Sequence, residues 1–188
     1  MHVGVNDLLQ RHNAEAQGVS GEQATALALA EGALWLARNE PMLSLMNAPR
    51  VTTRWQEWLA HKDFKVALRA MRQLAQDDLG LADALEQDST AVAERRIKRG
   101  EFAGDLETMR AHSREYVLEE MAVFALQCRD IPAAEVYPGS NLAAAGYLVG
   151  RKLPDVLAPL SSRHFTRIDF ARVSAVAPSA GVLRPKLA

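Results

Sequence analysis

The sequence has few of the side chains that build cross-links and metal sites. Cys128 is its only cysteine, which excludes an intrachain disulfide and a cysteine-based zinc site. Its five histidines are scattered and show no HExxH spacing. The sequence therefore predicts no metal site.

Several targeting and cofactor signals are also missing. No apolar run is long enough to span a membrane, and the N-terminus lacks the basic and apolar regions of a secretory signal. We therefore expect a cytoplasmic protein without a membrane partner. Neither a Walker loop nor a GxGxxG motif occurs, so no nucleotide cofactor is expected. With a formal net charge of -1, the chain is not expected to bind DNA, and any nucleic-acid surface has to be a local patch.

What remains is the composition of an ordinary soluble domain. The chain has 188 residues, of which 48% are hydrophobic and 24% charged, enough for one sizeable core. Helical patterns alternate with a few short strands, predicted at residues 3–5, 134–137 and 165–173, which favours an α/β fold. We expect a single domain over residues 1–173 and a flexible tail over residues 174–188.

The first long helix is predicted from its cap. Ser20 is followed three residues later by Gln23, which together form a capping box. The Ala- and Leu-rich segment 24–38 then has the composition of a buried helix. Asn39 and Pro41 are expected to end it.

Three more helices are predicted along the chain. Residues 64–76 are amphipathic, and one face carries Phe64, Ala67, Leu68, Met71 and Leu74. A further helix is predicted at about 81–99. The longest helix is capped by Asp105 and runs to about residue 128.

Tyr116 and Glu120 are the first candidate site. Their spacing of four places both side chains on one face of the longest helix, one turn apart. A phenol and a carboxylate together suit a primary ammonium, which has three donors and a positive charge. The alternative is a buried tyrosine beside a surface glutamate, an arrangement that is common on amphipathic helices.

Tyr137 and Pro138 are the second candidate site. They end a predicted strand and lead into a helix, and ligands of open α/β sheets bind at the carboxyl ends of strands. A tyrosine there can supply a proton or a hydrogen bond. The alternative is a turn proline after a partly buried tyrosine.

The third candidate is a cationic row opposite the apolar face of the 64–76 helix. It consists of Lys62, Lys65, Arg69 and Arg72, if the helix begins by Lys62. Such a row matches a phosphate backbone, whose binding depends on Lys and Arg. The alternative is a solvated helix face.

A nucleophile is harder to assign. Ser20 lies between glycines in Gly18-Val19-Ser20-Gly21, but no GxSxG motif is present and capping explains its position. Cys128 lies on an apolar stripe, which is typical of a core cysteine rather than a reactive thiolate. The nucleophile is therefore left unknown.

The order of these segments resembles that of the tRNA-dependent cyclodipeptide synthase (CDPS) family. Tyr116-Val117-Leu118-Glu119-Glu120 is similar to the family's Tyr-x-x-x-Glu helix, and Glu135-Val136-Tyr137-Pro138 is similar to the strand end that follows it. The Tyr-Pro pair resembles the XYP subfamily. Further similar stretches lie at residues 6–12, 35–39 and 165–170, so the resemblance covers nearly the whole chain.

The resemblance implies a fold and a reaction. The implied fold is a Rossmann-like parallel sheet flanked by helices, like the catalytic domains of class I aminoacyl-tRNA synthetases. The implied reaction takes two aminoacyl-tRNAs and forms a cyclic dipeptide, a 2,5-diketopiperazine, through an acyl group held on a serine. It needs no cofactor, because the tRNA ester is already activated.

The resemblance also implies roles for single residues. Tyr116 and Glu120 would hold the α-ammonium of the bound aminoacyl group, and Tyr137 would assist proton transfer. Pro138 would shape the loop at that strand end. The row of Lys62, Lys65, Arg69 and Arg72 would bind tRNA.

One part of the family pattern has no counterpart. The family's nucleophilic serine follows the first strand, before the stretch that resembles residues 6–12, and only Met1 to Val5 precede that stretch here. We therefore expect an N-terminally truncated domain. Without a nucleophile the acyl-enzyme route fails.

Three functional hypotheses follow. The chain is a CDPS-like aminoacyltransferase with another nucleophile or an upstream start, or it is a non-catalytic module that binds aminoacyl-tRNA. The third hypothesis is an inactive remnant, whose exposed apolar surface would promote aggregation or pairing. A monomer or a weak homodimer is expected.

Overall fold

The structure, a computed structural model, describes residues 2–45, 49–100, 102, 105–131 and 142–162. The strands predicted at 134–137 and 165–173, and the tail at 174–188, lie outside these residues. Along the described part, the elements in chain order are β1 (His2–Val5), a 3-10 helix (Leu8–Gln10), α1 (Arg11–Ala16), α2 (Gly21–Ser44), β2 (Val51–Arg54), α3 (Trp55–Leu59), α4 (Phe64–Asp77), α5 (Leu79–Lys98), α6 (Leu106–Asp130), α7 (Ala143–Leu148) and α8 (Ala158–Ser161).

The described part of the chain is mostly helical, with a 2-stranded parallel sheet. β1 pairs with β2 from His2 opposite Val51 to Val5 opposite Arg54, and α1 and α2 form the crossover between the strands. The strand predicted at residues 3–5 is confirmed. A parallel pair with a helical crossover fits the predicted α/β arrangement, but the described sheet is much smaller than a full Rossmann-like sheet.

α6 is the centre of the fold. Its residues from Val117 to Leu126 are all buried, so this stretch is covered on every side. α1, α4, α5 and α8 pack around it. The helix begins as predicted, because Asp105 Oδ1 accepts a hydrogen bond from the Thr108 N–H at 2.8 Å.

α4 confirms the predicted apolar face, and α5 confirms the helix predicted at about 81–99. On α4, Phe64, Ala67 and Met71 are buried, while Leu68 and Leu74 pack against the core. α5 begins at an Asp78 cap, whose Oδ1 accepts hydrogen bonds from the N–H groups of Gly80 and Leu81. These caps satisfy helix N–H groups that have no partner within the helix.

α2 differs from its prediction in length and in burial. The helix continues through Pro41 to Ser44, although Asn39 and Pro41 were expected to end it. A proline removes one backbone hydrogen bond and kinks or ends many helices, but here the flanking turns are retained. The helix is also buried on one side only: Ala24, Ala28, Gly32 and Leu43 are buried, whereas Leu27, Leu34, Trp35 and Met42 are 45–54% exposed.

Within the residues that the structure describes, no helix combines the length and the apolar character that a membrane crossing requires.

Candidate functional site

Tyr116 and Glu120 lie in the buried middle of the fold, on successive turns of α6. The Glu120 side chain is fully buried, with 0% of the residue exposed, and Tyr116 is partly buried. The alternative that pairs a buried tyrosine with a surface glutamate is therefore wrong. A carboxylate in such surroundings is costly unless a cation or hydrogen-bond donors compensate its charge.

The two side chains interact electrostatically. Burial raises the pKa of the Tyr116 phenol well above its ordinary value of 10, and the negative charge of Glu120 raises it further. The Gln10 side chain donates a hydrogen bond to the phenol oxygen at 3.2 Å. Arg96, at the end of α5, also acts on this phenol through its positive charge. Tyr116 is therefore protonated near neutral pH.

Glu119, beside Glu120, has several hydrogen-bond donors around it. Arg11 Nη1 donates to Glu119 Oε1 at 2.8 Å, Arg11 Nη2 donates to Oε2, and Trp55 Nε1 donates to Oε1 at 2.7 Å. His12 Nε2 lies 3.3 Å from Oε2. Burial raises the pKa of Glu119, but the hydrogen bonds of His12, Arg11 and Trp55 and the charge of Arg11 outweigh it and lower that pKa to about 2.

Asp7 forms a second buried network that fixes the elements around this site. Its Oδ1 accepts hydrogen bonds from the Leu8 N–H at 2.7 Å and the Trp55 N–H at 3.2 Å. Its Oδ2 accepts from Arg54 Nε at 2.6 Å. A Cβ added at Gly32 would lie 2.2 Å from the Asp7 Cβ, so only glycine lets α2 approach here. Asp7 thereby holds Trp55 where its indole reaches Glu119.

Sequence reasoning missed Glu119 and Asp7 as network centres. A signal for Glu119 exists, because two adjacent carboxylates stand inside the apolar stretch 117–124. Charged groups on the buried side of a helix need partners. Which hydrogen-bond donors supply this partnership could not be read from spacing, since Arg11 and Trp55 are more than sixty positions away from Glu119 in the chain.

The cationic row lies in solvent, as its composition suggested. Lys65, Arg69 and Arg72 are exposed on α4, and Lys62 is exposed in the turn before it, because the helix begins at Phe64. Arg72 Nη2 donates to Glu115 Oε2 at 2.6 Å. Glu115 precedes Tyr116 on α6, so the end of the row reaches the helix that carries the phenol. The role of the row in binding tRNA stays a prediction.

Three further groups were considered from the sequence: the pair Tyr137 and Pro138, Ser20, and Cys128. Tyr137 and Pro138 lie outside the described residues. Ser20 is the α2 cap, since its Oγ accepts from the Gln23 N–H at 3.4 Å, which agrees with its assignment as a structural serine. Cys128 is partly buried and packs against the core.

A cluster of three side chains that can each ligate a metal lies beside Glu119. His12, Glu15 and His112 present ligand atoms within 4.8 Å of one another, and all three residues are partly buried. His12 therefore belongs to this cluster and also contacts Glu119.

Comparison with known proteins finds similarity among solved structures but not among protein-family models or curated sequences. No protein-family model matches the chain. No curated protein sequence matches it either. Among solved structures, the fold is similar to that of a CDPS from Fluoribacter dumoffii, with a TM-score of 0.71 and 22% sequence identity. That match covers 85% of this chain and 66% of the other, so the present chain spans less than two thirds of the CDPS.

Proposed function

We propose that this chain takes part in CDPS-like aminoacyl transfer, in which two aminoacyl-tRNAs yield a cyclic dipeptide. The observation that carries the proposal is the fully buried Glu120 carboxylate one turn from the protonated Tyr116 phenol. The similarity in fold to a CDPS supports it, as does the family-like order of the motifs. We also propose that the complete sheet of this chain is the wider Rossmann-like sheet of the family.

The chemistry of the pair fits the α-ammonium of an aminoacyl group. A buried carboxylate attracts a cation more strongly than an exposed one, because the surrounding dielectric is low. The Glu120 carboxylate would accept hydrogen bonds from one or more of the three ammonium N–H groups. The Tyr116 oxygen would accept a hydrogen bond from another. The amino acid's carbonyl carbon, still esterified to tRNA, would then lie at a fixed place for attack.

The net reaction breaks two tRNA esters and forms two amides. In the family, one aminoacyl group first passes from its tRNA to a serine hydroxyl. The amine of the second aminoacyl group then attacks that carbonyl carbon and releases the serine, and the resulting dipeptide cyclises onto its own tRNA ester. Each tRNA leaves as a free hydroxyl. Tyr137 would transfer protons, Pro138 would shape its loop, and the nucleophile that carries the first acyl group is unassigned.

The cationic row would hold the tRNA. Lys65, Arg69 and Arg72 are exposed on the side of α4 away from the core, and Lys62 is exposed in the turn before the helix. Phosphates bound there would bring the acceptor end towards α6, because Arg72 pairs with Glu115 next to Tyr116.

Product analysis tests the proposal. The chain is incubated with a mixture of charged tRNAs, and cyclic dipeptides are measured by mass spectrometry. We expect product from the wild type, at least a 100-fold loss in Glu120→Gln, and unchanged product in Glu107→Gln, which alters an exposed carboxylate on the same helix. Equal product from Glu120→Gln and the wild type would exclude the proposed role of Glu120.

A second candidate is binding of aminoacyl-tRNA without chemistry. It is favoured by the position of Ser20, the serine in a glycine turn, whose hydroxyl caps α2. Filter binding of charged tRNA by a chain that forms no cyclic dipeptide would select this candidate over transfer. Failure of both binding and product formation would exclude both.

A further inference from the structure

Two histidines and a glutamate from distant parts of the chain meet between α1 and α6. Glu15 Oε2 lies 3.7 Å from His12 Nδ1 and 3.8 Å from His112 Nδ1. His12 and Glu15 are three residues apart on α1, so one face of that short helix presents both. His112 is supplied by the first half of α6. The absence of HExxH spacing had predicted no metal site, but a helix-to-helix site needs no such spacing.

These distances are close to those of a metal centre. In a tetrahedral zinc site with bonds of 2.0–2.2 Å, neighbouring ligand atoms lie about 3.4 Å apart. The observed 3.7 and 3.8 Å separations of Glu15 Oε2 from the two ring nitrogens exceed this value by a few tenths of an ångström, and all three ligand atoms lie within 4.8 Å of one another. The side chains of His12, Glu15 and His112 keep 11%, 26% and 33% exposure, so solvent and ions can reach them.

Glu119 supplies the outer contact that metal-binding histidines usually have. His12 Nε2 lies 3.3 Å from Glu119 Oε2, on the opposite side of the ring from Glu15. A proton on Nε2, held by this carboxylate, leaves the Nδ1 lone pair directed at the Glu15 side. That arrangement, in which a carboxylate orients a histidine for a metal, recurs in zinc proteins.

We propose that His12, Glu15 and His112 bind one divalent transition-metal ion, with zinc as the expected metal. Two imidazoles and one carboxylate form a ligand set that suits zinc, and they leave a fourth position for water or another ligand. The bound ion joins α1 to α6. The ion also compensates the negative charge of the Glu15 carboxylate, which neutral imidazoles do not.

Metal binding is measured on tag-free protein stripped with EDTA. We expect one equivalent of Zn²⁺ by calorimetry, and a Co²⁺-substituted form with the visible spectrum of a four-coordinate site. His112→Gln and Glu15→Gln should each weaken zinc binding by about 100-fold or more. His2→Gln is the control, because His2 lies in β1 and contacts Thr53 instead.

Thermal melting gives a second readout that does not depend on activity. At a zinc concentration of about 100 times the dissociation constant, the wild type should melt several degrees higher, and His112→Gln should not respond. Absence of a zinc-dependent shift in the folded wild type would overturn the proposal. So would equal zinc affinity of wild type, Glu15→Gln and His112→Gln. Because neither readout involves tRNA, failure of the proposed aminoacyl transfer leaves this test intact.

Discussion

Two adjacent glutamates on α6, Glu119 and Glu120, have very different surroundings. Glu119 has guanidinium, indole and imidazole groups around it, whereas Glu120 acts on a phenol one turn before it. The sequence singled out Glu120 through its spacing from Tyr116. It did not single out Glu119, because the partners of Glu119 come from segments that only tertiary packing brings near.

Glu119 should contribute stability that is lost in acid. Its pKa falls from 4.5 to about 2 on folding, so its contribution is complete above pH 4.5 and disappears as the pH falls towards 2. The stability difference between wild type and Glu119→Gln should shrink by about 2 kcal/mol from pH 7 to pH 3. Urea unfolding at both pH values measures it. Glu107→Gln serves as the control, since the Glu107 side chain is 81% exposed, and an unchanged difference for Glu119→Gln would contradict the assigned pKa.

Tyr116 should resist ionisation as long as the chain is folded. Its pKa is raised above 10 by burial first and by Glu120 second. Only the unfolded phenol therefore ionises near pH 10, and the stability due to Tyr116 decreases as the pH rises above that value. The difference in phenolate absorbance between wild type and Tyr116→Phe should appear only with unfolding. A difference near pH 10 in the folded protein would contradict the burial of this phenol.

At the scale of elements, caps and periodicity predicted most helices well. Asp105 begins α6 as expected, and the apolar face of α4 is buried. α2 was predicted less well, because Pro41 was expected to end the helix and lies inside it instead. Its Ala- and Leu-rich composition also suggested burial, yet Leu34 and Trp35 are exposed, since composition does not say which neighbours a helix has.

Asp88 should be a strong link between two helices. It lies buried on α5, and its carboxylate accepts hydrogen bonds from the N–H groups of Ala143 and Ala144 at the start of α7, at 2.8 and 2.9 Å. Asp88→Ala should lower the free energy of unfolding by about 1–2 kcal/mol, because two buried donors lose their partner.

The matched control is Asp83→Ala, which removes an exposed aspartate from the same helix. Urea unfolding of both variants should give a loss in Asp88→Ala that clearly exceeds the loss in Asp83→Ala. Equal losses would show that the contact with α7 adds nothing to stability.

At the scale of the whole molecule, the family-like order of motifs predicted the observed similarity in fold to a CDPS. Glu120 is buried, and the ammonium-binding roles of Tyr116 and Glu120 stay predictions. The extent of the sheet could not be judged from the sequence, because short apolar runs do not reveal their pairing partners. Tyr137 and Pro138, outside the described residues, keep their predicted roles as predictions.

The cationic row should dominate tRNA binding and its salt dependence. Replacing Lys65 and Arg69 by Gln removes two charges, so the slope of log K against log salt should become shallower by about 1.5 to 2. A control variant with Arg38→Gln and Lys152→Gln removes the same charge from exposed positions elsewhere. Filter binding over a salt series gives the slopes. Identical slopes for the two double variants would place tRNA on another surface.

The most direct test of the account compares an aminoacyl-tRNA with its Nα-acetylated form, which carries the same nucleic acid but no α-ammonium. The wild type should bind the free-amine form at least about tenfold more tightly, which corresponds to about 1.4 kcal/mol. Glu120→Gln should remove this preference, and Glu107→Gln should retain it. Equal affinity of the wild type for both forms would contradict the proposed ammonium site at Tyr116 and Glu120.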